Sequence, residues 1–132
     1  MQHSVGDRLP DVVLHPSATQ LFRFSAVTWN SHRIHYDVEW ARHEGHKGVL
    51  VHSHLHAANA LRPLTDGLGP EWAVTKAAYR VVRPAAAGET LTATAQVTAA
   101  REDGNMLEFT IRELNEAGEP CCEGTAVAVR RS

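Results

Sequence analysis

The tightest constraint on the chain is a two-residue alternation. Leu91, Ala93, Ala95, Val97 and Ala99 alternate with Thr90, Thr92, Thr94, Gln96 and Thr98. Successive side chains on a strand point to opposite faces, so this pattern gives a strand with one apolar face. The same period runs through residues 73–81, through Leu107, Phe109 and Ile111, and through Ala126 and Ala128. Pro84 to Gly88, Asp103-Gly104 and Asn115 to Gly118 break the runs as turns. The second half is therefore an antiparallel meander. A sheet with one small-residue face needs something to cover it.

The cover is found at residues 53–64. Leu55, Ala57, Ala58, Ala60, Leu61 and Leu64 follow helical spacing, and their small side chains suit close approach by a sheet. Pro63 should end this helix or kink it at Arg62, leaving residues 65–70 as a loop. Upstream, Pro10 confines residues 6–14 to a short edge strand or a strand start. Ser17 or Thr19 can cap a helix running towards Trp29. Residues 30–33 read as a loop, and Asp37 sits where it would cap a short helix ending near Gly45. Residues 48–51 are a compact apolar run. The expected architecture is α+β, an antiparallel β-sheet wrapped around a central α-helix, with residues 1–132 as a single domain.

Composition excludes several classes. The chain has 13 basic and 15 acidic residues, which argues against the basic surface expected of a nucleic-acid binder. No apolar run approaches the ~20 residues of a membrane span, and the first residues lack the basic-then-apolar order of a signal peptide. Cys121 and Cys122 are adjacent, a poor geometry for a mutual disulfide, and read as reduced thiols. A cytoplasmic location is expected.

The chemistry is concentrated in two segments, Thr28 to Asp37 and Gly48 to His56, which hold five of the nine histidines. His52, His54 and His56 invite a metal reading. On a strand all three imidazoles would share a face, and on a helix only His52 and His56 would. The segment crosses from strand to helix, which spoils both geometries, so neither a metal nor another cofactor is expected.

The string Phe24-Ser25-Ala26-Val27-Thr28-Trp29-Asn30-Ser31-His32-Arg33-Ile34-His35-Tyr36-Asp37, followed by Val51-His52-Ser53, resembles MaoC-like hydratases and dehydratases of the hotdog fold. It is most similar to the branch of mesaconyl-CoA hydratase-like proteins and mitochondrial-type 3-hydroxyacyl-thioester dehydratases. The resemblance implies reversible addition of water to a 2-enoyl thioester of CoA or acyl carrier protein. It places His35 on the acid/base histidine, Asn30 where many relatives carry aspartate, and the Ser53 backbone N–H where a helix start donates to the thioester carbonyl. Substrate contacts are expected from His32, Arg33, Tyr36, His52 and His54. Asparagine can orient water but cannot act as a base at neutral pH. Arg33 is open to two readings, a bidentate anion ligand or an ion pair ordering the loop. Hotdog relatives imply a homodimer or higher oligomer, with a second hotdog subunit as the other possibility. A non-catalytic hotdog subunit is the alternative function. A hotdog thioesterase ranks lower, because the start of the central helix lacks a carboxylate.

Overall fold

The computed structural model describes residues 2–132. Five strands form one antiparallel sheet: β1 (Val12–Leu14), β2 (Trp72–Val81), β3 (Leu91–Arg101), β4 (Met106–Leu114) and β5 (Pro120–Arg130). Their spatial order is β1-β3-β4-β5-β2. The alternation in sequence becomes alternation in burial. Leu91, Ala93, Ala95 and Val97 of β3 are buried, as are Leu107, Phe109 and Ile111 of β4. Each large apolar side chain buried this way stabilises the fold by roughly 1.5–3 kcal/mol.

The helix α3 (Ser53–Ala60) lies on this face and packs against β2, β3, β4 and β5. Ala57 and Ala60 are buried against the sheet, which lets the helix axis come close. The sheet with its central helix is the architecture expected from the sequence. One local expectation is corrected: residues 65–67, expected in a loop, belong to a further helix, α4 (Arg62–Gly67). Proline in a first helical turn costs nothing, because its missing N–H has no helical partner there anyway. Pro63 therefore starts a helix, while α3 stops at Ala60, and Arg62 and Asp66 form an i,i+4 ion pair along α4.

The upstream helices are fixed by their caps. α1 (Ala18–Thr28) begins at Ser17, whose hydroxyl accepts from the Gln20 N–H at 3.1 Å. It ends at Trp29, which takes the left-handed conformation at φ 58°. α2 (Val38–His43) begins at Asp37, whose carboxylate accepts from the Trp40 N–H at 3.1 Å. Asp37 is held below its usual carboxylate range first by that bond and then by Arg33.

One glycine matters for the sheet. A Cβ on Gly124 would lie 2.0 Å from the Ala78 carbonyl oxygen, because β5 and β2 pass very close where they pair. Gly124→Ala should destabilise the protein by roughly 1–3 kcal/mol, the range for overpacking a filled site. Urea unfolding of the two forms checks this.

Candidate active site

The site is assembled by a clasp between two segments outside the five strands. After α1, residues 30–32 run as an irregular loop into one 3-10 turn at Arg33–His35. The apolar run 49–51 extends beside residues 85–87, with Val51 N–H donating to Ala85 and Ala87 N–H donating to Val49. Leu50 joins the two. Its N–H donates to the Ile34 carbonyl at 2.9 Å, and its carbonyl accepts from His35 Nδ1 at 2.8 Å.

That second bond sets the chemistry of His35. A backbone carbonyl only accepts, so Nδ1 carries the proton and the neutral ring keeps its lone pair on Nε2. The residue is buried, with 8% of its surface exposed. Burial lowers its pKa below the ordinary 6.5, the Leu50 bond opposes this, and nearby His32 adds to the lowering. A neutral imidazole with one free basic nitrogen results.

His52 lies flat on the ring of His35, with centroids 3.8 Å apart and planes 16° from parallel. It is fully buried, and its Nε2 is 2.7 Å from the Ser25 hydroxyl on α1. Burial first, then His35 and His56, push its pKa down to about 4, so it is neutral near pH 7. His52 also precedes α3, whose first backbone N–H is that of Ser53. The first N–H groups of a helix have no intrahelical acceptor and carry the positive end of its dipole. The Ser53 side chain itself is exposed and no side-chain cap bond forms there.

Asn30 is oriented by its own loop. Its Oδ1 accepts from the His32 N–H at 3.3 Å, which leaves its two amide N–H donors for other partners. Asn30 is in the wall of two adjoining clefts. One, of about 180 Å³, also takes Phe22, Ser25, Trp29 and Tyr36. The other, of about 570 Å³, takes Phe24, Thr28, His32 and His54. His35 lines neither; the His32 ring, which lines the second cleft, lies edge to face with it at 6.1 Å.

The remaining residues divide cleanly. Arg33 is engaged within the loop: its guanidinium meets Asp37 at 3.0 Å and lies 4.2 Å over the Trp40 ring. Of its two readings, the one as a loop-ordering ion pair is what this geometry favours. Tyr36 donates its hydroxyl to the Ser31 carbonyl at 2.8 Å, closing the loop on itself. His54 turns outward, 3.3 Å from the Tyr79 hydroxyl. His52 and His56 turn inward, so the three imidazoles of this run do not converge.

Three residues of this neighbourhood were given no site role from the sequence. Ser25 pairs with His52 across 27 positions. His56 Nδ1 bonds the Glu113 carboxylate across 57 positions, both side chains fully buried. Glu113 did carry a signal: it shares the inward parity of Leu107, Phe109 and Ile111 on β4, where a carboxylate is out of place without a partner.

The sequence profile of hydroxyacyl-thioester dehydratase type 2 matches residues 5–87. The mesaconyl-C(4)-CoA hydratase of Chloroflexus aurantiacus is 56% identical over 41 residues, which are 30% of this chain and 15% of that longer protein. The fold is that of the (R)-hydratase from A. caviae involved in PHA biosynthesis, with a TM-score of 0.90, 24% identity and 97% of each chain covered. It also matches the MaoC-like dehydratase from Rhodospirillum rubrum, with a TM-score of 0.79 and 23% identity over 98% of this chain and 94% of that one. With its sheet wrapped around α3 and more than half its length under one profile, the chain belongs to the hydroxyacyl-thioester dehydratase type 2 family of hotdog proteins.

Proposed function

We propose that the protein is an acyl-thioester hydratase/dehydratase, a hydro-lyase that adds water reversibly to a 2-enoyl thioester of CoA or acyl carrier protein. The observation that carries this reading is His35: buried, neutral, and fixed by the Leu50 carbonyl with its basic nitrogen free. In the hydration direction Nε2 takes a proton from water as the water oxygen bonds C3. The C2=C3 electron pair moves towards the thioester oxygen, where the Ser53 backbone N–H donates to the developing enolate. His35 then returns its proton to C2, and the carbonyl re-forms. Asn30 holds the water oxygen through its amide N–H groups and takes no proton, because an amide is not basic at neutral pH. One base therefore serves both proton transfers.

His32 and His54 contact substrate from the wall of the larger cleft, and Tyr36 from the smaller. His52 and Arg33 act through the residues they hold. The whole chain, residues 1–132, works as one hotdog unit in the cytoplasm. Among the described residues no helix is long and apolar enough to cross a membrane. β2 pairs with β5 on one side only, which leaves a sheet edge for a second copy or a second hotdog subunit.

Coupled assays on crotonyl-CoA, on longer enoyl thioesters and on a mesaconyl-CoA, the substrate class in the Chloroflexus protein's name, test the activity. Absorbance loss at the enoyl band is the expected result. No turnover across the panel, with the protein alone or with a hotdog partner, would sink the reading. The acid limb of kcat/KM should fall below pH 6.5. A histidine whose pKa is lowered stays unprotonated, and so active, until pH drops through that lowered value.

A further inference from the structure

The proton chemistry assigned to His35 leaves a second imidazole unexplained. His52 is fully buried, so it cannot reach bulk solvent, and it is neutral at pH 7, so it attracts no anion. It nevertheless covers one entire face of His35 at stacking distance. Its Nε2 is tied to Ser25, and Phe24 tilts against its ring at 4.7 Å. His35 is thus gripped twice, at its edge by a carbonyl from residue 50 and on its face by a ring from residue 52. The grip on the face depends on α1, because Ser25 and Phe24 come from that helix.

We propose that His52 is a positioning residue for the catalytic base: pinned by Ser25 and stacked on His35, it fixes the plane of the His35 ring and keeps water off its inner face. The proposal rests on the reading of His35 as the base. A flat ring is stiffer than any aliphatic cover of similar size, and a nitrogen at its rim lets a hydroxyl set its rotation. Both properties serve a group whose free nitrogen must be aimed, since small misplacements of reacting groups are costly in rate. The dry inner face is also what keeps the ring neutral, because burial penalises its charged form. The ionisable groups around the stack are few. His32 meets the outer edge of His35, and His56 lies one helical turn beyond His52 with Glu113 bonded behind it. Arg33 and Asp37 neutralise each other on the outer side of the 3-10 turn.

The test is NMR titration of the His35 ring together with the pH profile of kcat/KM, in His52→Ala, His52→Phe, Ser25→Ala and Ser25→Thr. Alanine at 52 opens the inner face, so the His35 pKa and the acid limb should both rise towards 6.5, with kcat falling more than KM changes. Phenylalanine at 52 restores the flat dry cover and should keep the pKa low. Ser25→Ala should lower kcat by unpinning the ring, and Ser25→Thr should restore it. Ser25→Ala loses a single hydroxyl, so it carries the test where His52→Ala fails to fold. An unchanged His35 titration in folded His52→Ala, or unchanged kcat in Ser25→Ala, overturns the proposal. The titration needs no turnover: a parent protein with no activity but a His35 pKa that rises in His52→Ala refutes the base assignment while leaving the positioning contact intact.

Discussion

Replacing His35 with alanine will lower kcat for hydration of an enoyl-CoA by about 10²–10⁴-fold, the usual worth of one positioned acid/base group. The size follows from the absence of a second base in the proposed mechanism. Asn30 is an amide, which is not basic at neutral pH and so cannot receive the proton. His32 Nδ1 is likewise occupied as an acceptor, from the Ile34 N–H at 3.3 Å. KM should change much less than kcat, because the loss falls on the proton transfer rather than on the cleft walls. Steady-state kinetics beside a circular dichroism spectrum of the variant separate this from misfolding. A His35→Ala enzyme with kcat within threefold of the parent would remove His35 from the chemistry.

The largest effect on stability is expected at Glu113. Its carboxylate, on β4, and His56, on α3, are fully buried where the helix meets the sheet, and they bond each other. The second oxygen of Glu113 and His56 Nε2 have no hydrogen-bond partner among the described residues. Removing one member leaves the other polar, buried and unpaired, so Glu113→Ala should cost about 3–5 kcal/mol in urea unfolding. Replacing both with apolar groups of similar volume, His56→Leu with Glu113→Met, should recover most of that loss, since the pair itself must offset the desolvation of two polar groups. A double variant no more stable than Glu113→Ala would mean that shape, not polarity, decides the site.

Much of the architecture was legible because it is written in local patterns. Ser17 and Asp37 show as caps by residue type and position, and both accept the expected backbone N–H. The alternation of residues 91–99 leaves little choice but a half-buried strand. The start of α3 at Ser53 follows from the change of period after residue 51. Residues 65–67 were misread as loop because the helix was expected not to run on past Leu64, while Arg62 and Asp66 pair to support α4.

The candidate site was legible in a different way. His35 and Asn30 stood out through a long, unusual string, not through any property of their own. What the string does not contain is which groups hold them. The Leu50 carbonyl belongs to the backbone and has no letter in the sequence. The contacts of His52 with Ser25, and of His56 with Glu113, join residues that only the closed sheet brings together. A histidine at residue 52 or 56 reads alike in one dimension. The fold makes one the neighbour of His35 and the other the partner of a carboxylate.

The short loop between α1 and α2 has a further consequence. Tyr36 closes onto Ser31, Asn30 onto His32, and Arg33 onto Asp37 and Trp40, so the loop is tied to its own neighbourhood at three points. Freezing a backbone residue costs roughly 1–2 kcal/mol of conformational entropy. In this protein that cost falls on folding. A substrate therefore meets a loop that has little left to lose on binding, and more of its binding energy remains for the transition state.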